Sequence, residues 1–205
     1  MDKRRALLDG ALRVFAADGY TRASIGSIAR AAGVSTRTIY NQFADKAALF
    51  EAVIVDSAER VAEAQVATVR RYLGRIADVE RDLREFGRAW ATPEPRWIPH
   101  FTLVRQIAAE AGHVPESALH AWQAAGPLRV RAEIAAHLRR IADAGLLAVG
   151  DAEGDAELAA IHLVQLVAGE ATSRSHHGAV PLPVEEVHRL ADAGVRAFLH
   201  GYGRG

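Results

Sequence analysis

The chain has 205 residues, half of them apolar and 24% charged, and no cysteine. That is enough for one helix-rich domain of ordinary size plus a small appended one, and it excludes disulfides, thiolate metal sites and cysteine nucleophiles. The first residues carry charge but no apolar stretch, and no apolar run reaches the length of a membrane span. The longest candidate, around Leu158 to Ala168, is interrupted by His162 and Gln165, so the expected location is cytoplasmic. The formal net charge is zero but unevenly placed. Residues 1–46 hold eight basic and four acidic side chains, a balance of +4, while the rest hold seventeen basic and twenty-one acidic ones. A basic front on a mildly acidic body suits phosphate attraction at one end.

Valines recur at three- and four-residue spacing rather than alternating, which predicts an all-α protein. The first helix is expected from about Asp2 to Ala17, with Leu8, Ala11, Leu12 and Phe15 on one stripe and Gly19 as its stop. Ser24 caps a short helix ending near Ala32, Gly33 permits a positive φ in the turn, and Ser35 caps a second short helix through Gln42. Asp45 caps a long fourth helix with Leu49, Phe50, Val53 and Val61 as its apolar face; a reach to Tyr72 makes it about 40 Å long. Past Gly74, the residues Ile76, Val79, Leu83, Phe86 and Trp90 outline another helix, and the prolines of segment 92–99 mark a loop. Helices follow at about 99–111, 115–124 and 127–144, then a loop at 146–155 and two last helices at about 155–173 and 183–200. The implied division is a first domain at 1–46 continuing into a linking helix at 46–73, and a second domain at 74–205.

Three helices with a tight turn between the second and third form a helix-turn-helix. Ile25, Ile28, Ala29, Val34, Ile39 and Phe43 are spaced to face Leu12 and Phe15. That leaves Thr36, Arg37, Thr38, Tyr40 and Asn41 on an outer face able to donate to phosphates and to base edges in a major groove. Backbone N–H groups at the helix starts near Ser24, Ser35 and Asp45 can meet phosphates too. A capped helical hairpin with a polar outer face satisfies the same spacing.

The motifs themselves carry more. F-A-A-D-G-Y (15–20), I-A-R-A-A-G-V-S (28–35), T-I-Y-N-Q-F (38–43) and D-K-A-A-L-F (45–50) stand in order and without gaps. This stretch closely resembles the N-terminal domain of TetR-type transcriptional regulators. The resemblance implies an all-α homodimer with an N-terminal DNA-binding domain and a C-terminal domain that binds a small effector and dimerises. The implied function is a ligand-responsive regulator, foremost a repressor released from a palindromic operator. By position, Ser24 and Tyr40 fall to phosphate contacts and Lys46 to a phosphate at the start of the fourth helix. Arg37, Thr38 and Asn41 fall to the groove, with Thr36 as a further groove residue, and Ser35 counts among the DNA-binding residues at the start of its helix. One departure stands out: Gly26-Ser27 occupies the first turn where an acidic residue is common in the family, and the glycine weakens that helix by up to about 1 kcal/mol.

The remaining three quarters resembles AefR-like C-terminal domains more faintly. Residues 157–170 are apolar on more than one face, and Val184, Val187, Leu190, Ala191, Val195 and Phe198 stripe the last helix. Helices 155–173 and 183–200 are therefore expected to pair two copies about a two-fold axis, although a fully buried core helix has the same pattern. An effector pocket needs apolar walls and a few polar anchors, for which Trp90, Trp97, Phe101, Val104, Arg105, Trp122, Ile134, His162 and Gln165 are the candidates. Tryptophan at helical spacing also serves as plain core, and Arg105 can pair with an anion or snorkel to the surface. Nine histidines include the adjacent His176 and His177, but without metal-ligand spacing they read as surface residues. No enzyme signature stands out, and the terminal G-Y-G-R-G reads as a tail. The expected partners are double-stranded DNA, a second copy and a small effector, with no cofactor and no membrane. The competing reading is a helical small-molecule binding protein without DNA binding, against which the polar face of 35–41 argues.

Overall fold

The computed structural model describes residues 3–92 and 94–204; Asp2, where the sequence opens the first helix, lies outside them. Among the described residues the chain is helical with no β-strand, and an isolated bridge joins Leu147 to Gly203. Two compact units divide the chain: the N-terminus to Ala62 with Pro95–Pro127, and Glu63–Glu94 with Leu128 to the C-terminus.

The first unit is built on α1 (Lys3–Arg22), α2 (Ile25–Ala32), α3 (Thr36–Tyr40) and the beginning of α4 (Lys46–Leu73). Helix α1 places Leu7, Leu8, Ala11, Leu12 and Phe15 on one stripe, and these meet Ile28, Ile39, Phe43, Leu49 and Phe50 in one core. Each such side chain taken wholly out of water contributes roughly 1.5–3 kcal/mol. Phe15 and Tyr20 both set their rings edge-on to Phe50, at 4.9 and 4.8 Å between centroids. Helical geometry breaks at Gly19 (φ 77°, ψ 174°), the stop expected from the sequence, and a further short turn continues to Arg22.

After α5 (Val79–Ala91), a 3₁₀ turn at Pro95–Trp97 leads into α6 (Ile98–Ala109), whose Pro99 sits in the first turn, where its missing N–H costs nothing. Then comes α7 (Glu116–Ala125). Helix α6 packs along α1, and Leu103, Ile107, Val114 and Ala118 complete the first core. Segment 95–127 thus joins the N-terminal helices, whereas the sequence reading assigns everything beyond residue 73 to one second domain. Apolar periodicity shows which face of α6 is buried but not against which helix.

The second unit takes the end of α4, α5, α8 (Pro127–Asp143), α9 (Asp155–Val164), α10 (Glu170–Arg174) and α11 (Val184–Tyr202). Asp78 caps α5 by accepting from the Arg81 N–H at 2.9 Å, so Ile76 precedes the helix. Arg88 of α5 grips Asp192 of α11 with two hydrogen bonds of 2.8 and 2.6 Å, and Arg70 of α4 reaches Glu133 of α8 at 2.8 Å. The single helix expected at 155–173 is interrupted by a π-helical turn, Gln165–Gly169. Helix α11 crosses that turn at Gly194, where a Cβ would lie only 2.0 Å from the Leu166 carbonyl oxygen, so only glycine allows so close an approach.

Candidate nucleic-acid interface

The outward face of the first unit is assembled from short-range bonds. Ser24 is extended (φ −118°, ψ 151°) and its Oγ accepts from the Ser27 N–H at 3.0 Å, while Ser27 Oγ accepts from the Ser24 N–H at 3.2 Å. Ser27 thereby does what a glutamate does in the usual capping box, so the departure at Gly26-Ser27 leaves the cap whole. Gly33 closes α2 in the left-handed region (φ 67°). Ser35 caps α3 through the Thr38 N–H at 3.1 Å, with its hydroxyl 2.9 Å from Thr38 Oγ1. Asp45 Oδ1 takes the Ala48 N–H at 2.8 Å at the start of α4.

These caps fix α3 so that Ile39 is wholly buried while Thr36, Arg37, Tyr40 and Asn41 are exposed, Tyr40 by 58%. Thr38 is half-buried, and Gln42, which the sequence reading leaves out of the face, is exposed beside Asn41. Lys46 has a task within the fold: its Nζ donates to the carbonyls of Tyr20 (2.9 Å), Thr21 (3.3 Å) and Ala23 (3.3 Å). It also sits 4.6 Å from the Tyr20 ring centroid. Burial, and then the neighbouring Asp45, raise the Tyr20 hydroxyl above the usual tyrosine range. Part of the basic front is spent internally as well. Arg5 forms a two-bond pair with Asp56 at 2.7 Å, and Arg60 reaches Asp9 at 3.1 Å and Asp56 at 3.0 Å. The acid that neutralises Arg5 lies beyond residue 46, where a count confined to the first 46 residues misses it.

The residues expected to hold an effector are divided between the two units. In the first, Trp97, Val104, Arg105 and Trp122 are half-buried and Phe101 is 37% exposed. Trp122 Nε1 is buried without a hydrogen-bond partner. In the second, Ile134 is buried, Trp90 lies tilted against Phe86 with ring centroids 5.5 Å apart, and the exposed His162 bonds Tyr202 at 2.7 Å beside the exposed Gln165. Sequence reading passed over one buried polar pair of the first unit, Ser57 Oγ and His100 Nδ1 at 2.9 Å. Burial, and then Arg60, push His100 down to about 4. A histidine on the buried stripe His100–Leu103–Ile107 is the signal that could have found it. A charged groove of about 380 Å³ in the second unit is lined by Arg88, Glu185, His188, Arg189, Asp192 and Arg196, unlike the apolar walls expected for an effector. His176 and His177 are exposed in a left-handed turn (φ 49° and 56°), and among the described residues no group of three or more acidic or histidine side chains is placed to hold a metal.

Two family profiles match: that of the bacterial regulatory proteins of the tetR family at residues 7–53, and that of the AefR-like transcriptional repressor C-terminal domain at residues 82–204. The chain belongs to the TetR family. The TetR profile ends inside α4, and the AefR-like one begins in α5 of the second unit and takes in segment 95–127 of the first. A TetR-family regulator of Mesorhizobium loti superposes with a TM-score of 0.84 at 28% identity, covering 98% of this chain and 97% of that one. The Flavonoid-responsive Regulator FrrA gives a TM-score of 0.66 at 27% identity over 98% and 97% of the two chains. The HTH-type transcriptional repressor Rv1474c of Mycobacterium tuberculosis is 34% identical over 106 residues, 43% of this chain and 57% of that protein. The match thus spans little more than half of that relative. No helix among the described residues is long and apolar enough to cross a membrane.

Proposed function

We propose that this TetR-family chain is a ligand-responsive transcriptional repressor that acts in the cytoplasm as a homodimer on a palindromic operator. The observation carrying the reading is the α3 face: Ile39 anchors it in the core, and Thr36, Arg37, Tyr40 and Asn41 stand exposed between the capped starts of α3 and α4. Arg37, Thr38 and Asn41 are suited to base edges, and Ser24, Ser35 and Tyr40 to phosphates and nearby sugar. Lys46 serves first as a brace, since its three donors already have three carbonyl acceptors, and it meets a phosphate only by giving one up.

Dimerisation falls to α9, the π turn and α11, supported by Leu158, Leu166 and Val184, which are 52%, 40% and 50% exposed in the chain alone. The effector is a small, largely apolar molecule with an acceptor for the unpartnered Trp122 Nε1. Effector and DNA then oppose each other to the same degree, because coupling is reciprocal.

A gel shift on the chain's own upstream region at two salt concentrations tests the reading. Specific, salt-sensitive binding is expected, and its absence there and across genomic fragments overturns the reading. Arg37→Ala should relax sequence preference by roughly 1–3 kcal/mol, whereas Tyr40→Phe should weaken all sites alike. Sedimentation of Leu166→Glu should show a monomer.

A further inference from the structure

We propose that Glu110 is a positioning residue for DNA reading: its carboxylate fixes the peptide turn between α1 and α2, so that the end of α6 sets how the reading helices are held. This rests on the DNA-binding function proposed above. Glu110 ends α6, its N–H donating to the Gln106 carbonyl at 2.9 Å and its own carbonyl accepting from the His113 N–H at 2.7 Å. Its side chain crosses 89 positions of sequence to the last turn of α1, where Oε2 accepts from Thr21 N–H at 2.9 Å and from Thr21 Oγ1 at 3.1 Å. Gly19 makes the room: its φ is +77°, and a Cβ there would lie 2.3 Å from Glu110 Oε1. Bonds from Thr21, and to a smaller degree the Arg22 charge, hold the Glu110 carboxyl below the usual glutamate range, so the accepting form prevails at neutral pH.

The same peptide run is gripped from its other side by Lys46, on the carbonyls of Tyr20, Thr21 and Ala23. A carboxylate therefore takes the N–H side and an ammonium the carbonyl side of a segment that leads directly into Ser24, the cap of α2. Helix α6 packs along α1, and at its end Glu110 joins that packing to this turn by direct hydrogen bonds. A partly exposed contact of this kind adds little to global stability, but it anchors Thr21 in the run that leads into Ser24.

The test uses the full chain and four variants, Glu110→Ala, Glu110→Gln, Gly19→Ala and the double Glu110→Ala/Gly19→Ala. The readouts are affinity for an operator-containing fragment, amide exchange over residues 19–24, and thermal midpoint. Glu110→Ala should lose about tenfold in affinity, the scale of one lost hydrogen bond to a charged group, and the Thr21 amide should exchange about tenfold faster at a nearly unchanged midpoint. Glu110→Gln, which keeps an acceptor oxygen, should fall between. The double variant should bind no worse than the weaker single one, because both changes break the same contact. Wild-type affinity in Glu110→Ala, unchanged Thr21 exchange, or an affinity loss matched by a loss of thermal midpoint overturns the assignment. If the wild-type chain binds no fragment specifically, the DNA-binding reading fails and this one with it; if it binds and Glu110→Ala binds equally, only this one fails.

Discussion

The segment carrying α2, α3 and the start of α4 and the segment carrying α9, the π turn and α10 are both helical, yet they are held in opposite ways. In the first, each helix start is closed by a side chain three residues away: Ser24 to Ser27, Ser35 to Thr38, Asp45 to Ala48. In the second, α9 starts at Gly154 (φ 89°) and α10 follows the π turn, both without a side-chain cap. Its shape is set from outside, by α11 crossing the Leu166 carbonyl at Gly194 and by Val167, whose Cγ1 would lie 3.2 Å from a Cβ on Gly87 of α5. The helix caps of the surface read as meeting DNA are specified by neighbours in sequence, with Glu110 and Lys46 holding the turn before them from further away, whereas the surface read as meeting a second copy is specified throughout by neighbours in space. A local rule tolerates change elsewhere in the chain; a packed turn does not.

Four measurements can break or sharpen this contrast. The largest effect is expected from emptying either core: Phe15→Ala and Phe198→Ala, both wholly buried, should each lose about 3–5 kcal/mol in denaturant titrations. Indistinguishable unfolding profiles for the two variants would mean that the units do not respond separately. Next comes acid. His100 is pushed from 6.5 to about 4 in the folded chain, so on unfolding it regains affinity for a proton. Stability should therefore be full above pH 6.5, fall as pH drops toward about 4, and level off below, a loss of up to about 3 kcal/mol. Thermal midpoints across that range should show the slope, and His100→Asn should flatten it.

Smaller is Gly194→Ala, whose Cβ must displace the Leu166 carbonyl; about 1–3 kcal/mol should be lost in thermal unfolding, with weakened self-association. The smallest is Ser24→Ala, which removes one cap and should cost about 1 kcal/mol. If Ser24→Ala proved the more damaging of these two, the assignment of local control to one segment and packing control to the other would be reversed.

Legibility in the sequence followed the same division. The caps at Ser24, Ser35 and Asp45, the turn at Gly33 and the buried stripe through Ile28, Ile39 and Phe43 were readable because each depends on residues within one or two helical turns. The pair Gly26-Ser27 reads as a departure because the family's acidic residue is missing, although the Ser27 hydroxyl makes the same reciprocal bond. Non-local features were not readable. Nothing in 95–127 announces that it packs with α1, and nothing in Glu110 announces Thr21, 89 positions away. The apolar candidates for the effector site were chosen for being apolar, which predicts burial but not company, and they fall in two different units.

The unpartnered Trp122 Nε1 has a consequence for the bench. The chain has three tryptophans: Trp97 and Trp122 in the first unit, Trp90 in the second. An indole whose N–H gains an acceptor changes its absorption edge and its ring-nitrogen resonance. The protein therefore carries its own optical reporter, and Trp90→Phe with Trp97→Phe would leave Trp122 as a single label-free channel for screening compounds.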